Sequence, residues 1–92
     1  MTIQLTYHAQ IRIAAACNNE ALEVAPGTLL SGLFRLLDTR HTPAFRTFVV
    51  DESGRARPGI IVLINDRMAE PGADPALVDG DRIALFSPIA GG

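Results

Sequence analysis

The stretch Asp79-Gly80-Asp81-Arg82-Ile83-Ala84-Leu85-Phe86 reads as a tight turn that feeds a strand. Gly80 suits the positive φ that such a turn demands, and polar and apolar side chains then alternate with the period of a half-buried strand. That period turns Ile83 and Leu85 inward and Arg82, Ala84 and Phe86 outward. Pro88 prevents the strand from continuing, and Ile89-Ala90-Gly91-Gly92 follows as a short tail. At the other end of the chain Thr2-Ile3-Gln4-Leu5-Thr6-Tyr7 alternates in the same way, with Ile3, Leu5 and Tyr7 on one face. Two such strands at opposite ends of a 92-residue chain fit side by side, in parallel, at the centre of one sheet.

The intervening segments supply the rest of the layer. His8 to Asn19 is mixed, and both a strand extension and a short helical turn fit it. Asn18-Asn19 then turns the chain, and Ala21-Leu22-Glu23-Val24 returns antiparallel to the first strand. Pro26-Gly27 stops that strand, and Thr28 is a candidate N-cap for a helix over about residues 29 to 40. Leu29, Leu33, Leu36 and Leu37 recur at helical spacing, and Leu30 and Phe34 widen the stripe. Thr42-Pro43 ends the helix, because a residue before proline avoids helical angles. Phe45 to Val50 reads as a third strand, with Ser53-Gly54 as the turn beyond it. Ile60-Ile61-Val62-Leu63-Ile64 is apolar on both faces, which predicts a strand covered on each side, turned at its end by Asn65-Asp66. The expected architecture is α+β, a ubiquitin-like β-grasp with a mixed sheet of four or five strands and one main helix packed across it. Residues 1–92 form a single domain in this reading, and 87–92 a flexible C-terminal tail.

Composition removes whole classes of function. A net charge of −2 and a pI near 5.5 leave no clustered positive charge for nucleic acid. The longest apolar stretch, Ile60 to Ile64, falls far short of the roughly 20 residues that span a bilayer. No export signal leads the chain, and the single cysteine, Cys17, fits a reducing compartment, so a cytoplasmic location is expected. Cys17 has no Cys-x-x-Cys partner and reads as a small, partly buried apolar residue. His8 and His41 lack ligand spacing, so no metal site is expected. Pro26-Gly27-Thr28 lacks the spacing of a phosphate loop, and Asp79 and Asp81 read as turn residues, not as an acid–base pair. A chain this small can bind or carry but has little material for an enclosed active site, so no enzyme is expected.

What remains is the tip. Gly91-Gly92 has no Cβ to collide with the walls of a narrow channel, and it presents an α-carboxylate. A carboxylate is a poor electrophile, but coupled to AMP it becomes a mixed anhydride that a sulfur nucleophile can attack, giving a thiocarboxylate. The run from Leu77 through Asp79-Gly80-Asp81 to Gly92 resembles the ending of the MoaD/ThiS ubiquitin-like sulfur carriers: a leucine, a D-G-D turn, an apolar strand, one or two prolines and a terminal G-G. Tyr7-His8-Ala9-Gln10-Ile11-Arg12 is similar to the F-A-Q-V-R segment of the molybdopterin synthase small subunit. Arg57-Pro58-Gly59-Ile60-Ile61-Val62-Leu63-Ile64-Asn65-Asp66 is similar to the R-P-G-I-x-V-L-I-N-D segment of the eukaryotic ubiquitin-related modifier.

The resemblance implies a β-grasp fold and adenylation of Gly92 by an ATP-dependent E1-like adenylyltransferase, with ATP used by that enzyme and no cofactor bound here. It further implies a sulfur donor enzyme that converts Gly92 to a thiocarboxylate. An acceptor follows, first of all the large subunit of molybdopterin synthase or its equivalent, with thiamine, cysteine, thio-tRNA and secondary-metabolite synthesis as alternatives. Partner-binding residues on this reading are Gly91, Ala90, Ile89, Pro88, Phe86 and Arg12. Phe86 beside Pro88 and Ile89 has two readings, an exposed apolar patch or a cap on the core edge, and Arg12 likewise contacts a partner or is a solvated charge. Two departures stand out: Ser87-Pro88 replaces the usual two prolines of that small subunit, and Asp51 to Gly59 is longer and more polar. A protein modifier and a plain interaction module are the other classes; all eight basic residues are arginines, so no lysine-linked chain can be built on this sequence.

Overall fold

The computed structural model describes residues 1–41, 43–70 and 72–87. In chain order these form β1 (Thr2–His8), α1 (Gln10–Ala15), β2 (Asn19–Glu23), α2 (Leu30–Arg40), α3 (Ala44–Phe48), β3 (Ile61–Ile64), β4 (Arg67–Met68) and β5 (Arg82–Phe86). The sheet order is β2-β1-β5-β3-β4. The two terminal strands are parallel neighbours at its centre, with Gln4 opposite Arg82 and His8 opposite Phe86. β2 pairs antiparallel with β1, and β3 with both β5 and β4. This is the ubiquitin-like β-grasp.

Alternation along β1 and β5 decides which face is buried. Ile3, Leu5, Tyr7, Ile83 and Leu85 are each at most 1% exposed, and each fully buried apolar side chain is worth about 1.5–3 kcal/mol. α2 lays Leu30, Leu33, Phe34 and Leu37 into the same core, a stripe at i, i+3, i+4 and i+7. Leu29 and Leu36 do not join it; they are 43% and 46% exposed. At about 100° per residue both fall on the same flank, well off the centre of the stripe.

Thr28 is not the cap of α2. Its hydroxyl donates to the Ala25 carbonyl, and the helix starts after Leu29. The first turn is satisfied instead from far along the chain. Pro75 carbonyl accepts the Leu30 N–H at 3.0 Å, and Asp74 accepts the Ser31 N–H at 2.8 Å and its hydroxyl at 2.7 Å. The Ser31 hydroxyl and then its N–H hold the Asp74 carboxyl below its ordinary range.

Two further expectations are corrected. Phe45 to Val50 is not a strand: Ala44–Phe48 is a short helix, and Phe45 and Val49 enter the core together at i, i+4. The Val49 and Val50 N–H groups both donate to the Phe45 carbonyl. Ile60 to Ile64 is not covered on both sides either; Val62 is buried while Ile61 is 40% exposed. The ambiguous segment after His8 resolves as helix α1, which buries Ile11 and Ala15. The Asn65-Asp66 turn holds, with both residues at positive φ, as a two-residue hairpin of the primed type requires.

Candidate functional site at the end of the last strand

The register places three outward residues side by side: His8 on β1, Phe86 on β5 and Ile61 on β3. The next row carries Thr6, Ala84, Leu63 and Met68. Apart from Thr6 they make an apolar band across this sheet face, with Gln4 and Arg82 exposed beside it. Met68 is 68% exposed. A contiguous apolar surface of this kind marks an interaction site. Beyond Ile61 and Met68 it continues into a groove of about 570 Å³ between α2 and the β3–β4 hairpin, lined also by Leu30, Phe34, Ile60 and Val62.

Phe86 therefore sits on the outer face, as the alternation predicts. Its half-burial comes from His8 and not from the core edge: the two rings stack with centroids 4.1 Å apart and planes 2° from parallel. Next to that stack the chain turns into α1 through Ala9, at φ 56° and ψ −131°, a conformation that favours glycine. Ala9 offers no side-chain cap to α1. The first helical N–H, that of Gln10, donates instead to the Ser87 hydroxyl at 3.0 Å. Arg12 is exposed on α1, the helix packed against the end of β5. Of the residues expected at the site, Phe86 and Arg12 are thus placed at one end of the sheet, while Pro88, Ile89, Ala90, Gly91 and Gly92 lie outside the described residues.

Sequence reasoning missed His8, Ile61, Leu63 and Met68. In the sequence His8 stands out only within the Tyr7–Arg12 resemblance and as a histidine without ligand spacing, and Ile61 and Leu63 read as core. The usable signal was an apolar excess in β3 beyond what one buried face needs.

The other polar cluster lies on the inner side, at the β1–β2 end. Glu20 accepts from the Tyr7 hydroxyl at 2.6 Å and from Arg40 Nε at 2.5 Å, and His41 Nε2 lies 2.6 Å from it. Burial alone raises the Glu20 carboxyl, but its contacts with Tyr7, His41 and Arg40 outweigh that and hold it below the ordinary range. Burial, reinforced by Glu20, drives the Tyr7 hydroxyl far above its ordinary value. Burial and then the Glu20 charge also push the Cys17 thiol up, which disfavours the thiolate nucleophile. Cys17 is half-buried, as expected. These contacts tie β1, β2 and the end of α2 together. Asp81 accepts from Asn65 Nδ2 and the Val78 N–H, in the turn role that its sequence suggests. Among the described residues no group of three or more His, Cys, Asp or Glu side chains is placed to hold a metal ion. Nor is any described helix long and apolar enough to cross a membrane.

A β-grasp sheet with an apolar outer band at the end of its last strand defines a small ubiquitin-like carrier or modifier. The chain belongs to the ThiS family, whose model matches residues 5–92. Among solved structures it is similar to SAMP1, the small archaeal modifier protein 1 of Haloferax volcanii, at 26% identity and a TM-score of 0.84 over 100% of both chains. It is similar to Urm1 from Trypanosoma brucei at 32% identity and a TM-score of 0.81, over 99% of this chain and 95% of that one. A putative molybdopterin converting factor subunit 1 from Pyrococcus furiosus matches at 25% identity and a TM-score of 0.75, over 97% of this chain and 99% of that one. No curated protein matches the chain.

Proposed function

We propose that this chain carries sulfur on the carboxyl group of Gly92, in the cytosol, and that the His8–Phe86–Ile61 band docks the enzymes that load and unload it. The observation that carries the reading is the place of the band: it lies at the end of β5, the last described strand before the sequence runs on to Gly91-Gly92, on a sheet face that no described helix covers. An E1-like adenylyltransferase binds the band. A carboxylate oxygen of Gly92 attacks the α-phosphorus of ATP, pyrophosphate leaves, and an acyl-adenylate results. Sulfide released by a donor enzyme then attacks the carbonyl carbon, AMP departs with one former carboxyl oxygen, and a thiocarboxylate is left on Gly92. The thiocarboxylate passes its sulfur to an acceptor synthase. The chain itself contributes recognition and reach; ATP and the catalytic groups belong to its partners.

Molybdopterin synthesis, with a large synthase subunit as acceptor, is the first pathway, supported by the Ala9-Gln10-Ile11-Arg12 segment and the Pyrococcus likeness. Conjugation to other proteins is the second reading, favoured by the likeness to SAMP1 and Urm1. Intact-mass measurement after incubation with an E1-like enzyme, ATP and a sulfur donor tests both. Replacement of one oxygen by sulfur on Gly92 supports the carrier. Adducts on other proteins without that replacement support the modifier, and an unchanged mass overturns the carrier reading.

A further inference from the structure

We infer that the β1–α1 corner, residues His8, Ala9 and Gln10, is a clamp that holds the root of the C-terminal segment, and that Ser87 is its positioning residue. The inference rests on the carrier reading and adds to it the groups that aim the carboxyl-bearing segment. Three features meet at one corner. The His8 ring lies flat on Phe86, the last residue of β5. The Gln10 N–H donates to the Ser87 hydroxyl, the first side chain past the strand. Between them Ala9 holds φ 56° and ψ −131° without being glycine, a local cost that persists only where the surroundings over-determine it.

That strained turn is what brings the Gln10 N–H to Ser87. A relaxed corner would point the first N–H of α1 away from Ser87 and toward water, since Gln10 is exposed. The Ser87 hydroxyl is the acceptor that this bond needs. The anchor is therefore built by this chain's own residues. Its consequence is geometric. With Phe86 stacked and Ser87 tied, the end of β5 and the residue after it are held in place against the β1–α1 corner, which raises the effective concentration of the carboxylate in a partner's site without strengthening docking.

Ser87→Ala removes the acceptor, and Ser87→Thr restores it. For adenylation by the E1-like enzyme, Ser87→Ala should lower kcat about fivefold, the worth of one ordinary hydrogen bond, with KM unchanged and the thermal midpoint lowered only slightly. Ser87→Thr should recover most of that loss. Amide exchange gives a readout that needs no enzyme: Gln10 protection should fall in Ser87→Ala and return in Ser87→Thr. Equal kcat for wild type and Ser87→Ala, a loss confined to KM, or failure of threonine to rescue overturns the positioning role. Equal Gln10 exchange in all three overturns the clamp itself. A wild-type chain that is never adenylated sinks the carrier reading and this inference together, whereas a charged wild type with an equally charged Ser87→Ala sinks this inference alone.

Discussion

Tyr7 and His8 are neighbours on one strand and live under opposite rules. Tyr7 points inward, with its hydroxyl on Glu20 and its ring edge-on to Phe45 and His41. His8 points outward and has Phe86 for a neighbour on a face that no described helix covers. On the inner side Glu20 gathers the Tyr7 hydroxyl, Arg40 and His41 into one set of contacts within the fold. The outer side leaves apolar surface unspent, at the one place where the last strand ends. Stability and recognition are thus separated by a single peptide unit, because successive residues of a strand face opposite ways.

Mutations on the two sides should sort accordingly. Tyr7→Ala should cost about 3–5 kcal/mol, a large share of what a domain of this size has, and urea denaturation measures it directly. Glu20→Ala should cost about 2–3 kcal/mol, since it leaves the Tyr7 hydroxyl and the His41 ring without their shared acceptor. It should also change the response to acid. The folded Glu20 carboxyl titrates below its unfolded value, so its contribution is complete above the ordinary carboxylate range and disappears as pH falls through the folded value. In denaturation series at falling pH the variant should lose stability less steeply than wild type. A residual slope should remain, because the Ser53 hydroxyl beside Asp51 and the Ser31 hydroxyl beside Asp74 hold those carboxyls low as well.

On the outer side the pattern should invert. Phe86→Ala should cost no more than about 1 kcal/mol of stability, yet weaken binding to the activating enzyme roughly tenfold or more, as read by calorimetric titration. An equal loss in both measurements would erase the distinction between the faces. Ala9→Gly should have the smallest effect, a gain of about 0.5–1 kcal/mol in the thermal midpoint analysis, as relief of the positive φ exceeds the added chain entropy of glycine.

The strands were legible where periodicity and burial coincide. Ile3, Leu5 and Tyr7 against Ile83 and Leu85 announce a half-buried central pair, and the structure pairs them in parallel. The start of α2 was not legible in Thr28, because the groups that satisfy its first turn, Asp74 and Pro75, come from beyond β4. Phe45 and Val49 satisfy strand alternation and helical spacing alike, and β-branched and aromatic composition tips a local reading the wrong way. Ile61 and Leu63 failed for a different reason: hydrophobicity in a strand marks burial only when no partner is missing. His8 could be placed beside Phe86 only once the parallel register was known.

That parallel register has a mechanical side. A pull on the chain beyond Phe86 runs along β5, whose ladders to β1 and β3 flank it on both edges. Tension applied that way loads the two rows of hydrogen bonds in shear, all at once, where a pull across the strands would unzip them one after another. Whatever grips the last residues and tugs meets the stiffest direction of the whole sheet.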